Sequence, residues 1–371
     1  MFLSKLLKLI KRSKFILGRP KKNNLIVFDC ETSLAIKFLI KNKDYTLLKI
    51  RSDKIDKIYI NFGVFFKIFI KFFHHSLKIN YLSAIISQIE PKKIVTQYDN
   101  SLEFYQLNKI FKHSNIKFIA IQGGIRTIHN MGHLKKNFYI DQYCGFSNYE
   151  KIFLEKNNFK TNNFLPLGSI SSAAALDYFY NNKINLKKEY NVCLISELIT
   201  NLRNDDDKKY FEMLKELCLL VKKLKKKKKF SLIICGAGNK DSQISKTEIN
   251  FYEKIFGSNN FKIDQSNRNQ FPSYKNIYKS NLIVGVHSTL MREALGLKKK
   301  ILIYNYLSKT EYLFMFNDFF VVNQRSAEKF NQKFESIFQL TDEEYFSKIE
   351  DPNYYMADPY KTKKIFLERL T

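Results

Sequence analysis

Four residues of one short run have the types and spacing to hold a nucleotide. Residues 277–305 read IYKSNLIVGVHSTLMREALGLKKKILIYN: an apolar run, a polar turn of His287, Ser288 and Thr289, a helical segment, and a second apolar run. A helix opening at Ser288 or Thr289 presents unpaired N–H groups and the positive end of its dipole, which suit a diphosphate. Glu293 follows Thr289 by one helical turn and points the same way, where a carboxylate can accept from both hydroxyls of a ribose. The same residues also make an ordinary helix start, with a Ser-Thr cap and an early acid.

Three other turns carry polar or glycine-rich sequence after an apolar run. Gly236-Ala237-Gly238-Asn239-Lys240 is a Gly-x-Gly, without the third glycine or the tight helix entry of a dinucleotide site. Gln97-Tyr98-Asp99-Asn100 and Gln122-Gly123-Gly124-Ile125-Arg126 follow two further runs. Asp99 and His129 are the candidates for a general base. Paired glycines let a backbone approach a ligand, and they equally make a common loop. No His, Cys or carboxylate cluster has metal spacing, and no Asp-x-Asp stands at a strand end. Asp205-Asp206-Asp207 opens a helix, where acids complement the dipole. The expectation is therefore no metal and no cofactor.

These turns need a scaffold that lines up strand ends. Strands are expected at 24–29, 45–50, 93–97, 116–121, 139–146 and 163–168, and again at 190–196, 230–235, 261–264, 281–286 and 300–304. Helical segments lie between most of them, including 33–41, 81–89, 102–113, 148–155 and 205–225. Strand, helix and strand in repeated succession argue a parallel doubly wound sheet, whose ligands sit at the carboxyl edge.

The series Val284-Gly285, Ser288-Thr289, Glu293-Ala294, Lys299 and Leu302 resembles the nucleotide-sugar half of GT-B glycosyltransferases, in particular bacterial lipopolysaccharide and capsule biosynthesis proteins. Sugar-nucleotide epimerases and polyol-phosphate transferases share the pattern. The resemblance implies two Rossmann-like doubly wound domains facing across a cleft. Pro166-Leu167-Gly168 matches the Pro-x-Gly strand end that precedes the second domain. The implied division is a basic segment 1–22, an acceptor-side domain 23–180, a nucleotide-sugar domain 189–350, and a terminal helix in 351–371 that returns to the first domain. The resemblance assigns Gly236, Lys240, His287, Ser288, Thr289 and Glu293 to the donor. It assigns Gln122, Gly123, Gly124 and Arg126 to the acceptor side. Several such families have Gln-His-Gly where this chain has Gln122-Gly123-Gly124, so the family histidine is missing and His129 or Asp99 must act as base. The implied activity is transfer of a sugar from a nucleotide-sugar donor to a saccharide or lipid-linked saccharide. A sugar-nucleotide epimerase is the alternative.

Length and charge bound the rest. A chain of 371 residues suits two domains with cores of their own. Its net charge of +28 attracts polyanions. The lysines are spread through every segment, however, and the run at 225–229 reads as a solvated helix end. That pattern argues against nucleic acid as partner and against a non-catalytic nucleic-acid-binding protein. Five scattered cysteines without a C-x-x-C pair suit buried thiols in a reducing compartment. No window is long and apolar enough to span a bilayer. The opening MFLSKLLKLIKRSK reads as an amphipathic basic helix that lies on an anionic membrane, placing the protein in the cytoplasm on the inner face of the cell membrane. Removing the first eighteen residues should therefore lower binding to anionic vesicles, and equal binding with and without them would remove this reading.

Overall fold

Branched and aromatic side chains in runs of four to eight residues form nearly all the strands, and serine, threonine or asparagine caps start most helices. The structure, a computed structural model, describes residues 13–29, 34–49, 55, 57–70, 75–136, 138–239, 242–266, 270–308, 312 and 316–370. By its contacts the chain divides into two compact units. The first runs to Ile170 and takes in the segment from Lys361, and the second is Ser171–Tyr360.

The first unit contains β1 (Lys14–Leu17), β2 (Leu25–Asp29), β3 (Thr46–Lys49), β4 (Lys57–Ile60), β5 (Lys93–Thr96), β6 (Lys117–Ile121), β7 (Tyr139–Gly145) and β8 (Lys160–Pro166). Six of these form a parallel sheet in the order β3-β2-β5-β6-β7-β8, and β1 pairs with β4 separately. Ile26, Phe28, Ile94, Phe118 and Ala120 are fully buried, because helices cover a parallel sheet on both faces.

The second unit contains β9 (Tyr190–Ile195), β10 (Leu232–Asn239), β11 (Lys262–Ser266), β12 (Ser280–Gly285), β13 (Lys300–Tyr304) and β14 (Val321–Val322). They form one parallel sheet in the order β11-β10-β9-β12-β13-β14. Counted from β9 this is 3-2-1-4-5-6, the doubly wound order, and its crossovers change direction between β9 and β12. The long helix Asp205–Lys228 has three acids in its first turn and four lysines in its last, as its dipole favours.

Helix Ile170–Asn181, expected as the end of the first domain, groups from Ser171 onward with the second unit, as do residues 351–360. At the strand end expected to precede the second domain, Leu167 N and Gly168 N both donate to Gly145 O, and Gly168 holds φ at +84°. That left-handed conformation favours glycine. Hydrogen bonds tie the segment from Lys361 to the rest of the first unit. Thr362 Oγ1 donates to Leu167 O at 2.7 Å, and Lys93 Nζ donates to Arg369 O at 3.0 Å.

Four cysteines are buried free thiols, and burial pushes Cys144 up to about 12; Cys30 lies outside the described residues. Among the described residues no helix is long and apolar enough to cross a membrane. The amphipathic helix expected over residues 2–14 lies outside the described residues as far as Arg12. At its far end the expectation is corrected, because Lys14 is the first residue of β1. The aromatic stretch at 62–73 supplies the helix Phe62–Ile70.

Candidate functional site

The place where crossovers change direction is where a doubly wound sheet leaves a crevice at its carboxyl edge. In the second unit that place is the ends of β9 and β12, and the organising turn follows β12 directly. Helix Thr289–Gly296 starts there, with Ser288 as its cap: Ser288 Oγ accepts from Leu290 N at 3.3 Å, and Met291 N donates to Ser288 O at 2.9 Å. Ser288 and Thr289 are half-buried, as is His287, whose ring meets Tyr312 edge-on at 6.2 Å.

The turn's amides are engaged from the end of the neighbouring strand β9. Glu197, two residues beyond β9, accepts from His287 N at 2.9 Å and from Val286 N at 3.4 Å. A carboxylate of the chain therefore sits on amides of the turn just before the helix start that suits a diphosphate. The Glu197 residue surface is partly exposed, yet burial around its carboxyl raises the pKa above the ordinary range. Its bonds from the turn amides and the Tyr210 hydroxyl pull the other way.

Glu293 is 4% exposed, and its Oε2 accepts from the Tyr274 hydroxyl at 3.0 Å. Burial, then the Glu293 charge, pushes that tyrosine well above its usual range. Beside it Arg292 is completely buried and holds the helix to the 316–356 segment. Its Nε and Nη2 donate to Tyr355 O at 3.0 and 2.6 Å, and its guanidinium lies 5.0 Å from the Phe316 ring centre.

The Gly-x-Gly turn at the end of β10 is engaged in the same way. Ala237 N and Gly238 N donate to Glu248 at 3.0 and 2.8 Å, and Glu248 also accepts from Ser196 Oγ. Tyr252 donates to that serine at 2.9 Å. A Cβ on Gly238 would fall 2.5 Å from Ser245 N, so glycine is needed for close packing of strand on helix. A Cβ on Gly236 would come 3.3 Å from Asp264 O. Lys240 lies outside the described residues.

The first unit gathers the loops after β5 and β6 and the strand β7 on one carboxylate. Asp99 is fully buried; its Oδ1 accepts from Gly123 N at 3.0 Å and from Arg126 Nη2. Its Oδ2 accepts from Arg126 Nε at 2.8 Å and from the Tyr143 hydroxyl at 2.7 Å. Burial opposes the Arg126 charge, but the Asp99 carboxylate more than offsets this and raises the guanidinium further above its usual range. Gly123 lies against Gln97, where an added Cβ would sit 2.4 Å from the backbone oxygen. Gln122 is buried, donating to Gly124 O at 3.0 Å and accepting from Phe146 N at 2.9 Å.

A general base needs a lone pair open to its substrate. Asp99 offers none here, so its place is that of a clasp with Gly123 and Arg126, while Gln122 bonds Gly124 and Phe146 beside it. Of the two candidate bases His129, on the short helix Ile128–Met131, is the exposed one. Sequence reasoning missed Glu197, Glu248 and Arg292. For Glu197 the signal was an acid just past the first strand of a doubly wound sheet. For the other two, within helices, sequence gave none.

Residues 156–319, just under half of the chain, match the model of a family described as "putative O-antigen biosynthesis protein". The match takes in β8 to β13 and the Ser288–Glu293 turn. A glycosyltransferase from Rickettsia africae ESF-5 superposes with a TM-score of 0.53 at 12% identity, covering 95% of this chain and 98% of its own. A UDP-GlcNAc 2-epimerase from Neisseria meningitidis, bound to UDP-GlcNAc, covers 96% and 99% with a TM-score of 0.59 at 12% identity. The fold is GT-B. A wall teichoic acid polymerase soaked with CDPG also superposes, over 99% of this chain and 92% of its own, with a TM-score of 0.53 at 13% identity. No curated protein matches the chain. The surface-carbohydrate resemblance carried by the Val284–Leu302 motif thus agrees with both the family match and the GT-B fold.

Asp99→Asn should destabilise the protein by about 3–5 kcal/mol, because it leaves Arg126 buried without its counter-charge. Chemical denaturation checks this, and an unchanged midpoint would mean that the clasp contributes nothing to stability.

Proposed function

We propose that the second unit binds a nucleotide sugar at the carboxyl ends of β9 and β12, and that the chain transfers the sugar to a saccharide or lipid-linked saccharide of a surface polysaccharide. One observation carries this: a Ser288-capped helix with Glu293 one turn inside it, at the switch point of a 3-2-1-4-5-6 sheet and within the stretch that matches the O-antigen family.

In this reading the diphosphate meets the start of helix Thr289–Gly296, whose dipole stabilises the charge that develops as the sugar leaves. Glu293 accepts from the ribose hydroxyls while Tyr274 fixes its orientation. His129 takes the proton of the acceptor hydroxyl. Glu197 is the unusual element, since it holds the Val286 and His287 amides and carries the same charge sign as the ligand. It must either yield those amides or bind a proton when the diphosphate arrives, and its raised pKa makes protonation easier.

An epimerase acting on a sugar nucleotide is the second reading, favoured by the likeness to the Neisseria enzyme. An epimerase converts its sugar nucleotide with no acceptor present, whereas a transferase needs one. A product assay on UDP-, GDP- and CMP-sugars with and without acceptor therefore separates the two.

Calorimetric titration with the same nucleotides tests the donor site, and no response to any of them would sink it. Glu293→Gln should lower affinity roughly tenfold with the melting temperature almost unchanged. Unchanged affinity with a lowered melting temperature would make the Ser288 helix a capped helix and nothing more. Glu197→Gln should act in the opposite direction and tighten nucleotide-sugar binding, because it removes a like charge. In the parent chain the Glu197 carboxyl is protonated at a higher pH than an ordinary glutamate. Affinity should therefore rise as pH falls through that raised value, and Glu197→Gln should flatten the rise. A pH slope identical in both proteins would remove Glu197 from the donor site.

A further inference from the structure

Most amphipathic helices turn their apolar face inward, but Phe62–Ile70 does the reverse. Phe62, Phe65, Phe66, Phe69 and Ile70 are 83%, 60%, 54%, 80% and 56% exposed. Their spacing is i, i+3, i+4, i+7 and i+8, so they form one stripe along the helix. Val64 is buried and Ile68 packs on the core of the first unit, so the inward face is the smaller apolar one. The helix is anchored at its start: Asn61 exchanges side-chain hydrogen bonds with Gln88 at 2.8 and 3.1 Å and caps Val64 N at 3.1 Å. Its outward stripe is thus presented by a fixed element. β1 extends the apolar surface, since Leu17, 85% exposed, pairs with Ile60 just before the helix.

Residues 57–89 contain four lysines and no Asp or Glu. Of these Lys67 stands on the helix itself, and Lys78 is paired with Glu103. Lys14 and Lys57, paired across β1 and β4, are both exposed. An exposed apolar stripe flanked by lysines fits a partner that is itself apolar, extended and anionic.

We infer that helix Phe62–Ile70 is a membrane-docking element whose phenylalanine stripe enters the interface of an anionic lipid bilayer, with the neighbouring lysines on its headgroups. The inference is independent of the donor site and of any particular reaction.

The chain has no tryptophan, so a single introduced one reports its own surroundings. Phe69→Trp in the full chain should shift its emission to the blue on addition of vesicles of phosphatidylglycerol and phosphatidylcholine, and brominated lipid should quench it. Vesicles of phosphatidylcholine alone should give a much weaker effect. Tyr180→Trp is the control, because Tyr180 is 84% exposed and lies in the second unit. No shift at position 69, or an equal shift at 69 and 180, overturns the assignment. A blue shift without lipid that disappears on dilution assigns the stripe to a second copy of the chain and overturns it as well. Phe65→Ser combined with Phe69→Ser should lower sedimentation with anionic vesicles by roughly tenfold at an unchanged melting temperature. Undiminished sedimentation of that variant, folded as the parent, overturns the proposal too.

Discussion

The amides that a parallel strand leaves at its carboxyl end must find acceptors, and in this protein side-chain carboxylates supply them. Glu197 accepts from the turn after β12, Glu248 from the last residues of β10, and Asp99 from the loop after β6. Glu197 and Asp99 each fix one loop against another, and Glu248 ties its helix to the end of β10. A backbone N–H left buried without an acceptor would cost about 1–3 kcal/mol, and charged acceptors make the stronger kind of bond. The order of the carboxyl edge depends on these pairs.

The same arrangement explains the unequal legibility of the site. Ser288 as a cap follows from its place between an apolar run and a helical one, and it is the cap. The continuous apolar runs of β9, β12 and β13 likewise announce a buried parallel sheet, because such strands are covered on both faces. Glu197 was not legible in its role, since its partner lies 90 residues away and only the sheet order joins them, and Glu248 lies within a helix that folds back on β10. Asp99 stands after a strand with polar neighbours, as a catalytic acid would. Its burial beneath Arg126 and Tyr143 is a tertiary fact that no local pattern carries.

Element ends show the same division between local and distant causes. The helix starting at Ser101 was readable from its Asp-Asn-Ser entry, and Ser101 caps it. Strand β10 runs on through Gly236 to Asn239, past the end that its apolar residues suggest, because Glu248 holds the amides of that extension. The helix Leu77–Ile89 begins four residues before the segment expected at 81–89, because Ser76 caps it. Val321–Val322 forms an edge strand too short for any periodicity to reveal.

The bond from Thr362 to Leu167 spans 195 residues, and that from Lys93 to Arg369 spans 276. The first unit is therefore discontinuous in the chain, with the whole second unit inserted between its parts. During synthesis the second unit has every residue it needs once Tyr360 has left the ribosome. The first unit, although its strands emerge earlier, waits for a segment made after the second is finished. Native contacts so distant in sequence form slowly, because loop closure comes before any gain from packing. The unit translated first is thus the one completed last.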